Sequence, residues 1–154
     1  MSELLSNFDI MDICKSLNIR LNKCGYKSDL FGSCLNGGYI INLDKAGGQG
    51  THWVALFVDG DNCCYYDSFG MIYPNEIKGF CKNKFLIYNE NDNQYITDEH
   101  CGWFSIAFLY FMQNNKNKNI SDKLDEFDAL FSSTNPKLNL TKLQGYFKTI
   151  YKPN

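Results

Sequence analysis

Four residues of this chain carry groups that could together perform acyl transfer on a thiol: Cys101, His52, Asp67 and Gln94. Cys101 heads a run to Met112 that is apolar on nearly every side, the pattern of a buried helix. The N-terminus of a helix carries positive partial charge, which favours the nucleophilic thiolate form of a cysteine placed there. Such a nucleophile needs a base, a group to orient the base, and donors for an oxyanion. His52 is one of two histidines and a candidate base, since imidazole titrates near neutrality. His100 adjoins the cysteine, but consecutive residues entering a helix project in different directions, so it is badly aimed.

Asp67 gains meaning from its position. If the strands flanking Gly60-Asp61-Asn62 form a hairpin, the start of one lies beside the end of the next. The Asp67 carboxylate could then orient the His52 ring and stabilise its charged form. By itself, in Asp67-Ser68-Phe69-Gly70, it reads as a turn former. Gln94 stands seven positions before Cys101. Its amide could donate to an oxyanion together with the Cys101 N–H, although a loop glutamine is ordinarily just solvated. Trp53 reads both as a cover for the imidazole and as a core residue. Gly102 suits a close backbone approach at the helix start.

The elements that must position these groups follow from pattern and punctuation. A short helix is expected over Ile10–Leu17, capped by Asn7 or Asp9. Residues 23–38 read as loop, Tyr39–Leu43 as a strand, and Asp44–Gly50 as a glycine-rich flexible loop. Strands over Val54–Asp59 and Cys63–Asp67 follow, and these short, tightly joined strands should pair antiparallel. Pro74 opens a short helix through Phe80, and Phe85–Tyr88 is a further strand. Residues 113–123 read as a solvated linker before helices over Leu124–Phe131 and Leu138–Ile150. The fold class is α+β: an antiparallel or mixed central sheet, a buried helix carrying the nucleophile, and further helices around it. Residues 1–154 are expected to form one domain.

With 154 residues, 44% of them hydrophobic and 16% aromatic, the chain can bury a substantial core. No signal peptide is read at the start, and no apolar run approaches the roughly 18–20 residues that span a bilayer. The seven cysteines point to reduced thiols rather than a secreted disulfide scaffold, and the six besides Cys101 are expected to be inert. Without a Cys-x-x-Cys pair, and with two histidines, no structural zinc or other metal is expected. A formal charge of −2 argues against tight nucleic-acid binding.

Taken in order, Gly50-Thr-His-Trp-Val-Ala-Leu56, Tyr66-Asp-Ser-Phe-Gly70, Gln94 and Cys101-Gly102 resemble the adenovirus-type (adenain-like) maturation cysteine proteases. The look is above all that of the short proteases of virophages and Maverick-type DNA transposons, and more distantly that of the ubiquitin-like-modifier proteases. The likeness runs over residues 38–112. It implies a circularly rearranged papain-like fold with Cys101 as nucleophile, His52 as base, Asp67 as its orienter and Gln94 as oxyanion donor. It also implies a narrow substrate channel bounded by Trp53 and Gly102 that favours glycine. The implied activity is an endopeptidase acting on capsid or other virion precursor proteins, without cofactor or membrane, in the virion and the host-cell cytoplasm. A monomer is expected. The alternative is a deconjugating isopeptidase for ubiquitin or a ubiquitin-like modifier, using the same residues. The chain departs from the pattern at His100, where the modifier-removing branch favours aspartate, and through Tyr95–His100. Neither a basic surface nor a peptide-tethering cysteine is evident, so DNA and an activating peptide are not carried over as partners.

Overall fold

The computed structural model describes residues 1, 4–44, 52–117 and 119–151. In chain order its elements are α1 (Asn7–Ser16), β1 (Leu21–Tyr26), β2 (Gly37–Asn42), β3 (Trp53–Asp59), β4 (Asn62–Tyr66), α2 (Asn75–Phe80), β5 (Phe85–Tyr88), α3 (Cys101–Asn114), α4 (Ile120–Asp128) and α5 (Asn139–Ile150). Short 3₁₀ turns occupy Lys27–Asp29 and Pro136–Leu138. The strands form one mixed sheet in the order β1-β2-β3-β4-β5. The central pairs β2–β3 and β3–β4 are antiparallel, as their tight connections require. The edge strands β1 and β5 are parallel to their neighbours, since each is joined by a crossover long enough to return the chain. The α+β expectation therefore holds, with the sheet mixed rather than wholly antiparallel.

Strands β2 to β4 read as continuous apolar runs because the sheet is covered on both faces. Side chains alternate across it. Ile40, Ala55, Phe57, Cys64 and Tyr66 face a core built with α1, α3, α4 and α5. Ile41, Val54, Leu56, Val58, Cys63 and Tyr65 face a second, smaller core closed by α2. Cys63 and Cys64 thus lie on opposite sides. The Tyr66 ring stacks on Phe108 at 4.7 Å and meets Phe127 edge-on at 5.3 Å, which pins the end of β4 against α3 and α4.

Three local expectations change. The N-cap of α1 is Ser6, not Asn7 or Asp9: Ser6 Oγ accepts from Asp9 N–H, and the Asp9 carboxylate returns to Ser6 N–H. Strand β1 lies partly within the stretch read as loop, because Asn22, Lys23 and Gly25 conceal the alternation of an edge strand. The supposed linker 113–123 is helical at both ends: α3 runs to Asn114, and α4 starts at Ile120 with Asn119 Oδ1 accepting from Ser121 and Asp122 N–H. Lys123 is buried there, its Nζ donating to Met112 O at 3.1 Å and lying 5.2 Å from the Phe57 ring centre. Most of the glycine-rich loop, residues 45–50, lies outside the described residues, as does Thr51. Among the described residues no helix is long and apolar enough to cross a membrane.

Candidate active site

His52 immediately precedes β3 and Asp67 immediately follows β4, so the hairpin brings them together. His52 Nε2 lies 2.9 Å from Asp67 Oδ1. Leu43 N–H donates to His52 O at 3.0 Å and fixes the backbone that carries the ring. Asp67 is 1% exposed, and its Oδ1 also accepts from Phe69 N–H at 2.8 Å. Asn89 grips the Asp67 backbone on both sides: its Oδ1 accepts from Asp67 N–H at 2.9 Å and its Nδ2 donates to Asp67 O at 2.7 Å. The aromatic ring over the imidazole is that of Phe69, with centroids 5.1 Å apart and planes tilted by 31°.

The thiol reaches the same place through the packing of α3 on β3. Trp53 N–H donates to Cys101 Sγ at 3.3 Å, and one turn later Ser105 Oγ donates to Trp53 O at 3.3 Å. Both polar groups of a single peptide-chain residue are therefore held by α3, and His52 is its neighbour. His52 is also hydrogen-bonded to Cys101. With Nε2 engaged by Asp67, Nδ1 is the nitrogen for the thiol. Burial by itself would push the imidazole pKa down. The hydrogen bonds to Asp67 and Cys101, and the charges of both, outweigh it and hold His52 up at about 9. At neutral pH a ring held in this way is an imidazolium beside the sulfur.

Trp53 is 7% exposed, and its indole Nε1 donates to Leu5 O at 3.0 Å. A Cβ on Gly102 would come within 3.2 Å of Leu5 Cδ1 and 3.5 Å of Trp53 Cδ1. Glycine there lets the N-terminal segment and the tryptophan close against the start of α3. Gln94 is buried, and its backbone N–H donates to Ser68 O at 2.9 Å. Its Oε1 accepts from Ser68 Oγ, and its Nε2 donates to Asp98 O. One hydrogen of the amide suffices for Asp98, so the second can serve an oxyanion alongside the first N–H groups of α3, which have no acceptor within the helix. His100 is tied away from the base position, its backbone N–H and Nδ1 both meeting the Asp98 carboxylate.

Sequence reading missed Ser68, Phe69, Asn89, Asp98 and Ser105. The one available signal was the Asp-Ser-Phe-Gly tetrapeptide, in which each position has a task. Its Gly70 adopts φ +74°, and a Cβ there would stand 2.9 Å from Glu90 O.

No family profile matches the chain. An Acanthamoeba polyphaga mimivirus protein named "Putative thiol protease R355" is 36% identical over a stretch covering 47% of this chain and 28% of that protein. The chain thus spans less than a third of that relative's length. A crystal structure of the ASFV pS273R protease, in selenomethionine form, matches with a TM-score of 0.62 at 15% identity, covering 98% of this chain and 69% of that one. The chain has the fold of a viral cysteine protease. A second crystal structure of the ASFV pS273R protease matches with a TM-score of 0.51 at 16% identity, over 76% of this chain and 43% of that one.

Within this protease fold the seven thiols are not equivalent. Burial pushes Cys14 and Cys24 up to about 12, and raises Cys64 as well. Cys34 is half-buried, and hydrogen bonds from the Cys63 and Cys81 thiols, with Lys84 adding to the effect, hold it below the ordinary thiol value. Brief iodoacetamide treatment at mildly acidic pH, read by peptide mass spectrometry, is expected to label Cys101 and Cys34 first and Cys14, Cys24 and Cys64 last. Uniform labelling of all seven would rule out an activated thiolate at Cys101.

Proposed function

We propose that this chain is an adenovirus-type cysteine endopeptidase of a virus or virus-like element, cutting capsid or other virion precursors at glycine-containing sites. The observation that carries the reading is the single contact chain from Asp67 Oδ1 through the His52 ring to Cys101, with Trp53 N–H on the sulfur. In the proposed mechanism the Cys101 thiolate attacks the scissile carbonyl carbon. The resulting oxyanion is met by the Gln94 amide and the Cys101 N–H. The His52 imidazolium gives its proton to the leaving amine, then takes one from the water that releases the acyl group. Asp67 keeps the ring oriented throughout and stabilises its charged form before attack and again once it has taken the proton from water. In this reading Trp53 and Gly102 would bound a narrow channel that favours glycine. No cofactor enters this scheme. The enzyme would work as a monomer in the reducing host-cell cytoplasm and in the virion.

The test is to incubate the protein with its own element's capsid precursors and, in parallel, with fluorogenic C-terminal substrates of ubiquitin-like modifiers, each beside a Cys101→Ala control. The expected result is cleavage of the precursors at discrete glycine-containing sites, absent from the control. Precursors left intact, with or without turnover of a modifier substrate, would overturn the maturation reading. Turnover of a modifier substrate with the precursors intact would replace it with deconjugation.

A further inference from the structure

On the sheet face turned away from Cys101, three thiols converge. Cys34 comes from the segment between the first 3₁₀ turn and β2, Cys63 from β4, and Cys81 from the C-cap of α2. Their sulfurs all lie within 4.8 Å of one another, and each thiol is free of disulfide. A metal that binds thiolates at about 2.3 Å in tetrahedral geometry holds its sulfurs roughly 3.8 Å apart, so the cluster need contract by no more than about 1 Å. The three come from separate stretches of chain, which is why no Cys-x-x-Cys spacing announced them.

The surroundings favour a metal over a merely apolar contact. Cys63 and Cys81 are buried, whereas Cys34 is only half-buried and lines a surface hollow with Phe31, Glu76, Phe80 and Lys84. That hollow gives access from the surface to the Cys34 side of the trio. The Lys84 ammonium acts on both Cys34 and Cys63, and would offset the net negative charge of a metal carrying three thiolates. A set of three sulfurs with no carboxylate among them selects soft ions over magnesium or calcium.

We propose that Cys34, Cys63 and Cys81 form a tris-thiolate site for a single thiophilic metal ion, with Zn²⁺ as its natural occupant and water in the fourth position. Binding forms three metal–sulfur bonds, and each sulfur that still carries a proton releases it to the buffer. No electron is transferred. The bound ion would tie the β1–β2 connection, β4 and α2 into one unit behind the sheet, on the face that the proposed catalytic groups do not use.

The experiment is a Co²⁺ titration of the fully reduced, tag-free full chain under anaerobic conditions, followed by Zn²⁺ displacement. Thiolate-to-cobalt charge-transfer absorption is expected to saturate at one equivalent and to vanish on adding zinc. Cys101→Ser should bind cobalt like the wild type, which separates this site from the Cys101–His52 pair. Cys34→Ser, a change in a half-exposed loop, should weaken binding at least tenfold and abolish the rise in Tm that zinc gives the wild type. Absorption that disappears in Cys101→Ser and survives in Cys34→Ser would overturn the proposal. So would its absence from the reduced wild type, or a disulfide within the trio that resists reductant.

Discussion

Replacing Cys101 by alanine is expected to lower kcat for peptide-bond cleavage by roughly 10⁴–10⁶ while leaving the fold in place. The proposed reaction has a single attacking atom, and what remains without it is substrate binding and oxyanion stabilisation, together worth about 10³–10⁴ over water in comparable triads. The structural cost is small by comparison. Cys101 Sγ is hydrogen-bonded to Trp53 N–H and to the His52 ring, and Ser105 Oγ still holds the other side of Trp53. Cleavage measured by chromatography beside a thermal melt followed by circular dichroism separates the two effects. Activity within tenfold of wild type in a folded Cys101→Ala protein would remove the cysteine from the mechanism.

Asp67→Asn should both slow the proposed reaction, by about 10²–10⁴ in kcat/KM, and move its alkaline limit. Burial works against a charged His52, and the hydrogen bonds and charges of Asp67 and Cys101 reverse that and hold it at about 9. Without the Asp67 carboxylate the burial effect reasserts itself. The alkaline limb of the kcat/KM profile should then fall from near 9 toward the ordinary imidazole value of about 6.5. Stability should change in step. His52 binds its proton more tightly folded than unfolded, so its contribution is complete below about 6.5 and is lost as pH rises through about 9. At about 1.4 kcal/mol per unit the contribution is of order 3 kcal/mol. Urea denaturation of the wild type should therefore weaken between pH 6.5 and 9 more steeply than that of Asp67→Asn. An unmoved alkaline limb in the variant would show that the carboxylate does not hold the imidazolium.

The parts of this site that were legible in the sequence are those specified by side-chain pattern. The Gly60-Asp61-Asn62 turn between two apolar runs gave the hairpin, and the hairpin made His52 and Asp67 neighbours. The unbroken apolar run after Cys101 gave the buried helix and the thiol at its head. What escaped was of two physical kinds. Some contacts use backbone groups, which every residue carries and no pattern marks: the Trp53 N–H on Cys101 is one, the Asn89 grip on the Asp67 peptide another. Others depend on long-range placement of unremarkable residues, as with Lys123 reaching Met112 O, or with the Cys34, Cys63 and Cys81 trio. Strand β1 was hidden for a third reason. An edge position tolerates polar side chains, so Asn22 and Lys23 erased the alternation that would have announced it.

The double hold of α3 on Trp53 has a consequence for tolerance of change. Nucleophile and base are 49 positions apart in the sequence, yet their relative placement is measured from one residue rather than accumulated along the intervening chain. A slip of the helix by one residue along the strand would break both bonds at once, so small displacements are corrected rather than transmitted. Segments between β4 and α3, such as the stretch around Met71 and Ile72, can then lengthen, shorten or diverge without altering the distance from sulfur to ring. The reaction geometry is in this sense a local dimension of the molecule, insulated from the length of the polypeptide that connects its two halves.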